Sequence, residues 1–137
     1  LLAEDVSSEE NRNCSCTAKG LWLDIVFAVD VSVTMSGRSL LQITDNIKSL
    51  SSKFTLDRNK QQHVRLSLIT FAKDVKVLTY SIPSVEKMVE ILNDVNPDES
   101  EAKGNYTRAF LECKKIIRDS RDTSRDVIIM YGSSPYT

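Results

Sequence analysis

Residues 21–37 read LWLDIVFAVDVSVTMSG. From Leu21 to Val29 every residue except Asp24 is apolar, a run too unbroken for a strand with one wetted face. Such a run suits a strand covered on both sides, as in parallel α/β sheets, and predicts a central strand over Leu21–Asp30. The run ends in Asp30, and two hydroxyl residues follow at alternate positions, Ser32 and Thr34. Ligands of open α/β sheets bind beyond the carboxyl ends of the strands, so these three residues form the first candidate site.

Outward from this strand, Leu40, Ile43, Ile47, Leu50 and Phe54 recur at steps of three and four, predicting an amphipathic helix over 38–54 whose amino end faces Asp30. Alternation in HVRLSLITFA predicts a second strand over 63–72, and a β-rich piece over 75–81 follows the short link Lys73-Asp74. So short a link permits only an antiparallel hairpin. Pro83 and Ser84 open a second helix with Val85, Met88, Val89, Leu92 and Val95 as its stripe, closed by Asn96-Pro97. A third helix over 105–120 places Tyr106, Phe110, Cys113 and Ile117 on one face. Its basic residues Lys114, Lys115 and Arg118 are interleaved with Asp119, Asp122 and Asp126 and read as solvated surface. VIIMY over 127–131 is a last short strand. The order β-α-β-β-α-α-β predicts an α/β fold: a three-layer sandwich around a mostly parallel, Rossmann-like sheet with one antiparallel edge strand.

The 137 residues suffice for one compact core, and residues 1–20, polar after Val6, read as a flexible leader before a single domain over 21–137. A net charge of -1 recommends neither nucleic acid nor an anionic membrane as partner. No apolar run approaches the roughly 20 residues of a membrane span. Cys14 and Cys16 are too close for an unstrained mutual bridge, so in an oxidising compartment one of them pairs with Cys113, Cys16 first and Cys14 as the alternative. The other reading is free thiols, with Cys113 buried. Asn13-Cys14-Ser15 and Asn105-Tyr106-Thr107 match the N-glycosylation pattern at Asn13 and Asn105 and, with the cysteines, point to a secreted protein.

Asp30-Val31-Ser32-Val33-Thr34 resembles the D-x-S-x-S opening of the metal-ion-dependent adhesion site in von Willebrand factor type A (vWA) domains, and the predicted elements over 21–131 follow that family's order. The chain is most similar in flavour to secreted nematode proteins that couple a vWA domain to C-type lectin domains, in both its CxC-then-LWLDIVF opening and its VIIMYGSSPY ending. The resemblance implies a binding module with a divalent cation, Mg²⁺ or Mn²⁺, at the top of the sheet, completed by a ligand carboxylate. Asp30, Ser32 and Thr34 match its ligands. The family's threonine falls near Gly104, leaving Thr107 as a displaced substitute, and its further aspartate falls on Tyr131. The site is therefore degenerate, with Asp98, Glu99 or Glu101 as local acids in compensation. In the reading without metal, Asp30, Ser32 and Thr34 hydrogen-bond one another and nearby backbone to hold the loop. The family continues with further helices and strands, so the domain is expected to be incomplete, with the strand near 127–131 exposing an edge through which it associates.

The function expected is extracellular adhesion or recognition of a protein or glycan ligand, without catalysis. Two alternatives stand beside it: a haloacid-dehalogenase-type phosphotransferase with Asp30 as nucleophile, and a scaffold with no ligand at this rim. Ser32 replaces the second acid that the enzyme needs, and neither the lone His63 nor Gly132-Ser133-Ser134 supplies another catalytic constellation.

Overall fold

In a computed structural model, residues 22–57, 63–98, 103–118 and 124–133 are described. They form β1 (Leu23–Asp30), α1 (Gly37–Ser51), β2 (Arg65–Phe71), β3 (Val75–Thr79), α2 (Val85–Asn93), α3 (Tyr106–Arg118) and β4 (Arg125–Tyr131), in the order expected. The four strands lie in the order β3-β2-β1-β4. β1 pairs in parallel with both β2 and β4, and β3 closes one edge antiparallel to β2.

The unbroken apolar run of β1 is explained by what covers it. Successive side chains of a strand point to opposite faces. Ile25, Phe27 and Val29 enter one core with Leu40 and Ile47 of α1 and Met88 and Leu92 of α2. Val26 and Ala28 enter another with Ile69, Phe71, Ala109 and Cys113, the last two from α3. Helices therefore sit on both faces, and the sheet is the middle of three layers.

Where the element boundaries differ from expectation, local hydrogen bonding is the cause. α1 stops at Ser51, short of Phe54, where Ser51 Oγ donates to Ile47 O and Ser52 Oγ to Ser49 O, side-chain bonds that compete with helix continuation. β3 ends at Thr79 because Ser81 adopts a left-handed backbone, φ 51°, and donates its N–H to Ser67 Oγ. The third helix begins at Tyr106 with Asn105 as its cap: Asn105 Oδ1 accepts from Arg108 N at 3.0 Å.

The stripe of α3 also needs correcting. Its buried residues are Ala109 and Cys113, small side chains that let the helix close on the sheet. Phe110 falls at the margin of that stripe and is exposed, with Lys114 Nζ 5.9 Å from its ring centre. Cys113, expected as half of a disulfide, is a free thiol with no exposed surface. Cys14 and Cys16 lie outside the described residues, as do Asn13 and the leader. Burial pushes the Cys113 thiol up to about 11, so it stays protonated at neutral pH. With Cys14 and Cys16 replaced by serine, the native chain should react with an aromatic disulfide at least about 100-fold more slowly than the urea-unfolded chain. Equal rates would show that Cys113 is not part of this core.

The outer edge of β4 pairs with no strand among the described residues.

Candidate functional site

The carboxyl ends of β1 and β4 and the amino end of α3 converge on Asp30. Backbone bonds fix the loops around it: Val31 N–H donates to Phe71 O, Asp98 N–H to Val31 O and Asn105 N–H to Ala72 O. Asp30 and Ser32 have no exposed surface. A carboxylate so placed must be satisfied by protein groups, and here both oxygens are. Oδ1 accepts the Ser32 N–H at 2.9 Å. Oδ2 accepts Tyr106 O–H at 2.8 Å, Ser133 Oγ–H at 2.8 Å and, more distantly, Ser133 N–H at 3.3 Å.

The hydroxyls form a directed chain. An ionised carboxylate only accepts, so the single Ser133 hydroxyl hydrogen goes to Asp30. Thr34 Oγ1, 2.6 Å from Ser133 Oγ, must then be the donor in that pair, while Ser32 Oγ lies 2.8 Å from Thr34 Oγ1 and turns its side chain to the Asp30 carboxylate as well. The relay runs from Thr34 through Ser133 to Asp30, with Ser32 beside it. Burial pushes the Asp30 carboxyl up, but the hydrogen bonds from Ser32, Ser133 and Tyr106 outweigh it and hold it below the usual carboxylate range.

Asp30, Ser32 and Thr34 are thus brought together as expected. Thr107, the displaced ligand candidate, lies exposed on the first turn of α3, and the side chain that this turn gives to the cluster is its neighbour Tyr106. Tyr131, at the position of the family's aspartate, turns to the α1 side, where its O–H donates to Asn46 Oδ1 at 2.7 Å. Ser133, two residues further on, enters the cluster in its place. Asp98 is exposed, and Glu99 and Glu101 lie outside the described residues. Beside the cluster, Thr34, Ser36, Gln42, Asn46, Tyr131 and Ser133 line a groove of about 400 Å³.

Mg²⁺ or Mn²⁺ needs near-octahedral oxygen ligands with lone pairs turned inward. The donor set does not fit. The cluster holds one carboxylate, and its oxygens are met by four hydrogens from Ser32, Tyr106 and Ser133. Among the described residues no three His, Cys, Asp or Glu side chains gather to hold a metal ion.

A mostly parallel sheet between helices, with a D-x-S-x-T loop at the carboxyl end of its central strand, is vWA architecture. The sequence profile of the von Willebrand factor type A domain matches residues 24–133, and the chain belongs to that family. Members of this family typically serve as adhesion and protein-interaction modules. The chain is 28% identical over 130 residues to C-type lectin domain-containing protein 160 of Caenorhabditis elegans, spanning 90% of this chain and 20% of that protein. Among solved structures it is similar to proximal thread matrix protein 1 of the mussel byssus with a zinc-occupied MIDAS motif, at 15% identity and TM-score 0.67, covering 81% of this chain and 28% of that one. It is also similar to the vWF domain of the pili tip protein Mfa5 from Porphyromonas gingivalis, at 17% identity and TM-score 0.65, covering 82% and 38%. At these identities the structures speak for the fold alone. No described helix is long and apolar enough to cross a membrane.

Proposed function

We propose that the chain is an extracellular adhesion or recognition module whose rim works without a metal ion, carried in a larger secreted, C-type-lectin-like glycoprotein. The observation that supports this reading is the saturation of Asp30 by protein donors, which leaves the rim folded around hydroxyl groups instead of around a cation. A protein or glycan ligand meets Thr34, which is exposed, and the amides of Gln42 and Asn46 in the adjoining groove. The secreted setting rests on the sequons and on the lectin-domain relative. Asn105 suits glycosylation: it is exposed, and its capping bond uses Oδ1, leaving the amide nitrogen for a sugar. Mass spectrometry of the native secreted protein should find Asn105 occupied; an unmodified site would remove the glycan from this face.

The phosphotransferase alternative fares worse, because a carboxylate without exposed surface and with both oxygens engaged offers no line of attack on a phosphoryl group.

The experiment for the rim is a thermal melt of the chelated chain with Mg²⁺, Mn²⁺ or Zn²⁺ titrated back. A ligand that binds only the native state at 100 times its Kd adds about 2.7 kcal/mol, so specific binding would be plain in the midpoint. The expected response is flat. A saturable rise lost in Asp30→Ala would restore Asp30, with Ser32 and Thr34 beside it, as a metal site and overturn the metal-free reading.

A further inference from the structure

Gly104 and Gly132 both stand against the Asp30 cluster, and neither has a positive φ, so their backbone conformation does not demand glycine. What they supply is space. A Cβ at Gly132 would lie 2.7 Å from the Tyr106 hydroxyl oxygen and 2.8 Å from its Cε1. A Cβ at Gly104 would lie 2.9 Å from Phe71 Cε2 and 3.0 Å from the Asp30 carboxyl carbon and Oδ1. The Phe71 ring in turn meets Tyr106 edge-on, with centroids 5.2 Å apart and planes at 69°. The phenol is therefore packed against both Gly132 and Phe71, and Phe71 is itself held against Gly104.

From this geometry we infer that Tyr106 is an internal plug standing in for the cation: its ring fills the slot beside Asp30, and its hydroxyl supplies the positive end of a dipole to Oδ2. The inference rests on the metal-free reading of the rim and adds the residues responsible. Tyr106 O–H donates to Asp30, and the same oxygen accepts Ser133 N–H at 3.1 Å, so the phenol is held by the two strand ends that it bridges. Gly104 and Gly132 are the complementary half of the plug. In this arrangement the tyrosine is a positioning residue and the rim is closed from within.

The test is gain of Mn²⁺ binding, followed by the electron paramagnetic resonance signal of the free ion, in the wild-type chain, Tyr106→Phe and Tyr106→Ala/Ser133→Asp, each first checked for native circular dichroism. The wild-type chain should bind no Mn²⁺ saturably. Tyr106→Phe should lose thermal stability and still bind none, because the ring remains in its slot. The double variant opens the slot and adds a second carboxylate, and should bind Mn²⁺ saturably where the wild-type chain does not, since ligand charge sets affinity at such sites. If the wild-type chain binds Mn²⁺ through Asp30, the metal-free reading itself falls. If the wild-type chain and the folded double variant are both silent, the metal-free reading stands and the plug is overturned. Mn²⁺ binding by Tyr106→Phe would also overturn it, showing that the hydroxyl alone, not the ring, excludes the ion.

Discussion

Asp30→Ala is expected to lower the stability of the folded chain by about 3 kcal/mol, since each buried donor left without an acceptor costs about 1–3 kcal/mol and some can be recovered by water. At this chain length the midpoint of a thermal melt at pH 7 should fall by roughly 10 °C. Three residues lose a bond at once: Ser32 its N–H acceptor, Tyr106 its O–H acceptor and Ser133 the acceptor for its hydroxyl and amide. Asp30→Asn fills the same space but turns an NH₂ group toward one of these donors, and should recover only part of the loss. The dependence on pH has a defined sign. Because the folded state holds the carboxyl below its ordinary value, the contribution of Asp30 is fully present above that ordinary value and is lost as pH falls through the folded one. The gap between the wild-type chain and Asp30→Ala should therefore narrow in acid. A variant that melts within a degree or two of the wild-type chain at pH 7 would show that the cluster does not hold the rim together.

The same cluster shows how far the sequence could be read. Asp30, Ser32 and Thr34 were legible because strand, loop and motif are contiguous, and the loop's own geometry brings them together. Their partners were not. Tyr106 is 76 residues from Asp30 and Ser133 is 103, and their arrival depends on where α3 and β4 deliver their ends. Aligned by motif, Tyr131 looked like the residue at the rim. Strand alternation sends it to the α1 face, where it meets Asn46, and burial pushes its phenol up. The signal that the sequence carries for them is steric: glycine at 104 and again at 132, at opposite ends of the segment that contains Tyr106. The sheet order was legible for the opposite reason, since the unbroken run of β1, the alternation of β2 and the short link to β3 are local patterns. The margin of α3 is hidden in the sequence because Phe110 counts heavily by hydrophobicity, although the small Ala109 is what lets the helix approach the sheet.

Asp24, the one interruption in the apolar run of β1, leads to the second large effect. It is 6% exposed, and β1 and β2 are in register such that Asp24 stands opposite Arg65. Arg65 grips it with two bonds, Nε to Oδ1 at 2.9 Å and Nη2 to Oδ2 at 2.6 Å, and Ser124 Oγ donates to Oδ2 at 2.8 Å. The hydrogen bond with Asp24 raises the Arg65 guanidinium further above its ordinary value, against the opposing effect of burial. Removing one partner of a buried pair leaves the other charge uncompensated, a loss of about 3–5 kcal/mol in well-buried cases. Arg65→Met is placed at the lower end, about 3 kcal/mol, because Ser124 still serves Asp24. Asp126, opposite Asp24 on β4, works the other way by adding a like charge beside the orphaned carboxylate. Replacing both partners, in Asp24→Leu/Arg65→Met, should recover most of the loss, since an apolar pair carries no orphaned charge into the sheet. Urea unfolding of the two single variants and the double variant closes a mutant cycle, with an expected coupling of about 3 kcal/mol. High salt should leave this coupling nearly intact while erasing that of the exposed Arg108–Asp74 pair. A coupling near zero, or one that salt removes, would mean that water reaches the pair and that Asp24 is a tolerated polar residue instead of a staple between β1 and β2.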